Sequence, residues 1–303
     1  MKWKKLGKIF EPNGNVDWMQ THAMIPLAEN LSNDLYKIYF SPRDSLNRSH
    51  LAWITIDINK PKKIIEYSKQ PLVSPGNLGT FDDSGVVATS LLNHNDKKYM
   101  YYVGINLGVT VPLRNSIGLA ISLDQGRTFK KISEGPIVER NYKEPGFTAS
   151  PEVIFENGTF RMWYLSCIKW KYEHGKPKHY YHIKYAESSN GIDWDRQGIV
   201  AIDFKNSEEY ALGVPRVINE NGLYKMWYSY RGNKYRIGYA ESPDGIHWQR
   251  MDEQVGIDVS KEGWDSEMIE YPFVFDHKGN RYMLYNGNGY GKTGFGLAIL
   301  END

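Results

Sequence analysis

The phrase NG-x-x-(K/R)-MWY begins at Asn157 and again at Asn221, 64 residues later, and YAES begins at Tyr185 and again at Tyr239, 54 residues later. Self-similarity on this scale constrains a fold more than composition does. It means a supersecondary unit used several times. Each copy is too small to bury its own apolar face and is stable only when stacked on its neighbours.

The clearest copy runs from Pro215 to Arg250. Pro215 to Ile218, Leu223 to Tyr230, Tyr235 to Ala240 and a short segment around Trp248 are separated by Asn221-Gly222, a polar turn and Ser242-Pro243-Asp244-Gly245. Asn-Gly and Asp-Gly between apolar runs signal hairpins, because these residues accept the left-handed turn conformation. The unit predicts a four-stranded antiparallel meander. Pro151 to Arg196 repeats it with an insertion, and residues 17–58 and 81–133 form two more. A fifth starts near Asp265 and lacks an outer strand, which residues 1–16 are placed to supply. Units of four strands predict an all-β chain, a single five-bladed β-propeller domain of four-stranded antiparallel blades over residues 1–303. Residues 169–180, KWKYEHGKPKHY, read as a long irregular loop, either functional or merely solvated.

The third turn of the second unit, Ser122 to Phe129, fits the Asp-box pattern S-x-D-x-G-x-T-(W/F). Shorter forms recur from Ser188 to Trp194 and from Ser242 to Trp248. In such turns the Asp or Asn caps its own backbone and Gly takes the positive φ. They read as architecture.

Charge excludes some functions. Lys and Arg number 37 against 36 Asp and Glu, so the basic excess typical of nucleic-acid or membrane-surface binding is missing. The single cysteine, Cys167, rules out an intrachain disulfide. No apolar run reaches membrane-spanning length, and the lysine-bearing start MKWKKLGKIFEPNG has no apolar signal core, so the expected address is cytoplasmic. No metal-ligand motif occurs, and no cofactor is expected.

In stacked meanders of this kind the first strands begin at a central funnel. The charged and polar residues there are therefore the candidates. They are His22 in the first unit, Asp82 and Asp83 in the second, Glu152 in the third, Arg216 in the fourth, and Asp265 and Glu270 in the fifth. So many charges suggest a wet polar pocket, since burying unpaired charge is costly. Arg43 ends the second strand of the first unit. An arginine fork suits a carboxylate or phosphate. If Arg43 and Arg216 both face the funnel, the ligand carries negative charge, as a uronic or nonulosonic acid, a sugar phosphate or a nucleotide sugar does; the other reading is salt bridging, which is favoured for Arg231. Asn286, Asn288 and Tyr290 lie in a glycine-rich segment with no following helix, which removes the Rossmann and P-loop readings and leaves either a sugar-contacting loop or a simple turn.

The NG-x-x-x-MWY strands, the S-x-D-G-x-x-W turns, FDDSG and the terminal YNGNGYGKTGFG resemble the furanosidase-like propellers of glycoside hydrolase families 43, 32 and 68, over essentially the whole chain. Within that superfamily they look most like a branch associated with bacterial glycan and surface-polysaccharide gene sets. The resemblance implies an Asp on the first blade as base or nucleophile, an orienting Asp on the second and a Glu acid on the third. Asp83 fits the second position, with Asp82 as the fallback. The first blade has His22 instead. On the third, Ala149 stands two residues before Pro151, where the acid belongs, and Glu152 follows the proline. On the fifth, Glu270 stands two residues before Pro272.

These residues point to a glycoside hydrolase-like enzyme acting on a glycan or sugar conjugate in the funnel. Asp83 is the expected base or nucleophile and Glu270 or Glu152 the proton donor. His22, Arg43, Asp82, Arg216, Asp265, Asn286, Asn288 and Tyr290 are the expected substrate contacts. The displaced carboxylates keep a second reading open: a non-hydrolytic protein that binds or transfers a sugar or nucleotide sugar in polysaccharide biosynthesis. The sequence leaves the oligomeric state undetermined.

Overall fold

The computed structural model describes residues 1–301. Regular structure is almost entirely antiparallel strand. β1 (Trp3–Phe10) comes first. β2 (Thr21–Ser32), β3 (Leu35–Arg43), β4 (Ala52–Asp57) and β5 (Ile64–Tyr67) form one meander, and β6 (Gly85–His94), β7 (Lys97–Leu107), β8 (Leu113–Ser122) and β9 (Lys130–Lys131) the next. β10 (Thr148–Glu156), β11 (Thr159–Glu173), β12 (Lys176–Ser188) and β13 (Val200–Ile202) are followed by β14 (Ala211–Glu220), β15 (Leu223–Arg231), β16 (Tyr235–Ser242) and β17 (Gln249–Arg250). A single parallel bridge, Tyr181 to Ala211, joins these two meanders. β18 (Glu270–His277), β19 (Asn280–Asn286) and β20 (Phe295–Leu300) take β1 as their fourth strand, so the two chain ends share a sheet.

The first strands close a circuit. β2 packs on β6, β6 on β10, β10 on β14, β14 on β18, and β18 back on β2. Apolar clusters fill the spaces between sheets. Trp163, Trp227, Tyr39 and Tyr101, all from second strands, are among the largest fully buried side chains.

The Asp-box-like turns explain the repeated aromatics. Each turn glycine lies against the second-strand aromatic of the preceding sheet. Tyr101 donates its hydroxyl to Gly191 O at 3.0 Å, and Trp163 donates its indole N–H to Gly245 O at 2.8 Å. Gly191 and Gly245 have φ of +73° and +74°, where a side chain would be strained and would also meet the neighbouring sheet. Asp124 caps its turn as expected, accepting from the N–H groups of Arg127 and Thr128 at 3.1 and 2.9 Å.

One expectation fails. Residues 169–180 are not an irregular loop. β11 and β12 simply continue as a long hairpin, in register from Lys169–Tyr180 to Glu173–Lys176. The alternation of aromatic and charged residues there suits a two-sided ribbon projecting from the sheet.

Candidate active site

Four first strands carry the same irregularity. Ile25, Ser150, Val214 and Tyr271 each precede a proline and have φ of 51°, 45°, 50° and 57°. The pairing register breaks at each, between Met24 and Leu27, Ala149 and Glu152, Gly213 and Arg216, and Glu270 and Phe273. Left-handed backbone is unfavourable for a β-branched residue and also beside proline, so these bulges store strain, which functional sites commonly do. A bulge re-aims side chains. All four bulged residues line one central cavity of about 150 Å³.

The rest of that cavity is less polar than the sequence suggests. Leu113, Phe147, Ala149, Leu165 and Val214 line it, with Tyr181, Tyr235 and Tyr271 and a few polar groups: Asn115, Ser150, His179 and Ser229. His179 stacks on Tyr181, centroids 5.2 Å apart at 14°, and packs against Trp170 at 4.8 Å. Tyr181 and Tyr235 share a hydroxyl hydrogen bond. Such aromatic faces suit a sugar ring. Nδ1 of His179 and Oδ1 of Asn115 are buried without a partner. Burial, and then the charge of Arg231, push the His179 pKa down to about 4, so the ring is neutral at physiological pH.

Glu270 sits in the last meander at the place that Ala149 and Gly213 occupy in the two meanders before it. It is fully buried, and neither carboxyl oxygen has a hydrogen-bond partner. Burial pushes its pKa well above the ordinary carboxylate range, against the opposing charge of Arg231. Burial thus favours the protonated form of this carboxyl, which lies beside Tyr271, Tyr181 and Tyr235. Asp83 is its opposite. Burial works against its charge, but Ser84 Oγ, Gly79 N–H and Asn106 Nδ2 donate to it at 2.7, 3.0 and 3.1 Å and hold its pKa below the usual value. It is half-buried in the loop that enters β6, outside the cavity lining, and all of these partners belong to that loop or to its own sheet.

His22 and Arg43 meet at the funnel mouth. His22 has a φ of 60° and shares a hydrogen bond with Thr21 Oγ1 at 2.9 Å. Burial, Arg43 and Lys292 lower its pKa to about 4. Arg43 donates to Asn47 Oδ1 at 3.0 Å and to Met24 Sδ at 3.4 Å. Tyr290 accepts from Arg231 Nη1 at 2.7 Å, and the same guanidinium lies over the rings of Tyr210 and Tyr235 at 5.4 and 5.3 Å.

The remaining sequence candidates are structural in their contacts. Glu152 and Arg216 neutralise each other at 2.6 Å, with Arg216 also donating to Val274 O and lying over Phe273 at 4.1 Å. The bulge shifts both past the cavity, so Arg216 is not a free ligand arm and Glu152 is not a free acid. Asp82 accepts from Tyr102 OH at 3.0 Å and Lys131 Nζ at 2.6 Å, and Asp265 from Tyr285 OH at 3.0 Å and Lys5 Nζ at 2.7 Å. Glu144 likewise takes Tyr164 OH at 3.0 Å and Arg196 at 2.8 Å, and Asp252 takes Tyr228 OH at 2.5 Å and Arg250 at 2.7 Å. A carboxylate, a second-strand tyrosine and an outer-strand or nearby base thus form a clasp in four sheets. In the first sheet Phe40 stands where the tyrosine would be. Asn286 bonds Ile25 N, Ala23 O and Gly294 O at 2.7–2.9 Å, tying the last sheet to the first. Asn288 bonds Glu267 N, Met268 N and Gly263 O at 2.8–3.2 Å. Both amides are used up in holding backbone.

Sequence reasoning misses His179, Tyr181, Tyr235, Tyr271 and Asn115. The repeated X-Pro dipeptide at Ile25-Pro26, Ser150-Pro151, Val214-Pro215 and Tyr271-Pro272 is the available signal. Read as a repeated bulge, it points to the residues that face the centre.

No family model matches the chain. Among solved structures it is similar to a glycoside hydrolase, with a TM-score of 0.74 and 15% identity, covering 99% of this chain and 93% of that one. It is also similar to a thermostable family-43 glycoside hydrolase, with a TM-score of 0.68 and 18% identity, covering 97% and 94%. A third likeness, with a TM-score of 0.71, 13% identity and coverage of 99% and 94%, is to a structure described by "The GH130 family of mannoside phosphorylases contains glycoside hydrolases that target beta-1,2 mannosidic linkages in Candida mannan". These likenesses are of fold: the chain has the strand architecture of those glycoside hydrolase structures over nearly its whole length. In sequence, the protein is 45% identical over 302 residues, covering all of both proteins, to "Uncharacterized protein Rv1502" of Mycobacterium tuberculosis (strain ATCC 25618 / H37Rv). The chain therefore belongs to the family of that mycobacterial protein, and its fold is similar to that of solved glycoside hydrolases.

Proposed function

We propose that this protein is a glycoside hydrolase-like enzyme, a single five-bladed propeller domain that takes a glycan or sugar conjugate into its central cavity. One observation carries the reading: Glu270, a fully buried carboxyl with both oxygens unpartnered, lies next to the aromatic lining of that cavity. Glycoside hydrolysis needs one carboxyl protonated and one ionised. Glu270 is the proton donor to the leaving glycosidic oxygen. Asp83, ionised at the start of β6, is the base that activates water or the nucleophile that attacks the sugar. His22, neutral at physiological pH, and Tyr290, on Arg231, are substrate contacts at the mouth. The cytoplasmic address and a place in polysaccharide metabolism belong to this proposal as well.

Asp83→Asn and Glu270→Gln are each expected to lower turnover by about 10²–10⁴-fold while leaving the thermal melt cooperative. A panel of aryl glycosides reads it. Unchanged turnover in either variant removes that residue from its role. The second reading, a protein that binds or transfers a sugar, draws on His22 standing where the resemblance implies an Asp. Thermal stabilisation by a nucleotide sugar, with no aryl glycoside turned over, favours it.

A further inference from the structure

Buried charge in this protein is otherwise carefully paired. Arg161, Arg196, Arg216, Arg250 and Arg281 each reach a carboxylate at 2.5–2.8 Å. Three half-buried arginines have no carboxylate partner among the described residues: Arg43, Arg114 and Arg231. Their placement is not scattered. Arg43 ends β3 opposite Thr21, Arg114 stands in β8 opposite Asn106, and Arg231 ends β15 opposite Ala211. Thr21 and Ala211 begin first strands, and Asn106 holds Asp83, so all three arginines lie at the end of the ring where the cavity opens.

Two of them reach residues at the cavity lining. Arg231 lies over Tyr235, whose ring is 6.3 Å from that of Tyr271, and both tyrosines line the cavity. Arg43 holds Met24, which precedes the bulged Ile25 of the same lining. A half-buried guanidinium without a counter-charge is unfavourable, and a ligand anion is what its planar fork fits. The cavity also presents the unpartnered buried Nδ1 of His179 and Oδ1 of Asn115, which await polar groups of a ligand. Glu270, the buried carboxyl on this side, makes no ion pair with Arg231, so the fold itself supplies that arginine no anion.

We infer that the glycan bound here carries an acidic substituent, a carboxylate or a phosphate ester, held by Arg43 and Arg231 at the cavity mouth. This deepens the proposed function in taking a glycan as the ligand. It reverses the sequence expectation for two arginines: Arg216 is the one bridged within the fold, and Arg231 is the one left for a ligand.

A glycan array tests it without requiring turnover. The wild-type protein is applied to matched neutral, uronate-bearing, carboxyl-reduced and sugar-phosphate-bearing oligosaccharides, with Arg43→Gln, Arg231→Gln and Arg231→Lys beside it. Binding is expected on acidic glycans only. Loss on carboxyl reduction identifies a carboxylate as the anion, and binding confined to phosphate-bearing probes identifies a phosphate. Each Gln variant is expected to lose about tenfold to a hundredfold in affinity, as removal of a charge-assisted hydrogen bond does. Arg231→Lys, which keeps the charge but not the fork, falls between. A normal melt in each variant separates lost binding from lost folding. Retention of neutral glycans equally with acidic ones, or of no glycan at all, overturns the inference. Turnover of neutral aryl glycosides overturns it while leaving the hydrolase reading intact. Acidic-glycan binding without turnover of any acidic glycan leaves it standing and removes the hydrolase reading.

Discussion

Glu270 and Asp83 are both carboxylates at the starts of first strands, and their surroundings drive them apart. Glu270 has lost water and gained only the weak help of the Tyr290 amide and the charge of Arg231, whereas Asp83 has gained donors from a backbone amide, a hydroxyl and a side-chain amide. The difference has a thermodynamic consequence. Burial raises the folded-state pKa of Glu270 above its ordinary value of 4.5. Below that pH both folded and unfolded chains hold the proton. As pH rises past it, the unfolded chain releases the proton and the folded one does not, so this group's contribution to stability is lost as pH climbs toward the folded pKa. Glu270→Gln is therefore expected to melt together with wild type at about pH 4 and above it at neutral pH, the gap opening as pH rises. A gap that closes with rising pH contradicts the assignment. His22 and His179 act in the opposite sense. Their pKa values near 4 lie below the ordinary 6.5, so wild type and variant alike lose stability as pH falls through that window, and comparing the two isolates Glu270. The sequence shows which residue types stand at strand starts. It does not show which find partners, because Glu152 and Arg216 lie 64 residues apart and meet only between two successive meanders.

At the scale of the element, hairpins and turns are legible in the sequence and bulges are not. Asn-Gly, Asp-Gly and the capped Ser-x-Asp turns act through local backbone preference, which travels with the residues. The left-handed kinks at Ser150 and Val214 run against local preference and are held by the packing of the ring. Standing at a strand start therefore does not decide facing beyond the kink, and Glu152 and Arg216, candidates by that position, meet each other instead. The clasps are legible once the repeats are aligned, since a tyrosine recurs at Tyr102, Tyr164, Tyr228 and Tyr285. They carry their own prediction. Asp265→Ala leaves Lys5 and the buried Tyr285 hydroxyl without their partner, and is expected to cost about 3 kcal/mol of stability, as breaking a buried pair does. Glycan binding should persist in the folded fraction. A denaturant melt and a binding assay read the two. Unchanged stability with lost binding would return Asp265 to the ligand site.

The whole molecule is a ring of repeats that differ in the residues at their first-strand starts. Its closure, β1 pairing with β20, follows from a fifth repeat that lacks its own outer strand. The same economy places every first-strand start at one end, so groups distant in sequence share one cavity mouth. The repeat makes the architecture readable from the chain. The cavity lining is harder to read, because it is assembled from bulged positions on four first strands and from third-strand residues such as Tyr181 and Tyr235. No helix among the described residues is long and apolar enough to cross a membrane. The central claim is that this ring keeps one carboxyl neutral at its centre as a proton donor. Infrared difference spectroscopy of the intact protein against Glu270→Gln at neutral pH tests it directly. A protonated-carboxyl stretch is expected in wild type and missing from the variant; loss of an ionised-carboxylate band in its place would contradict it.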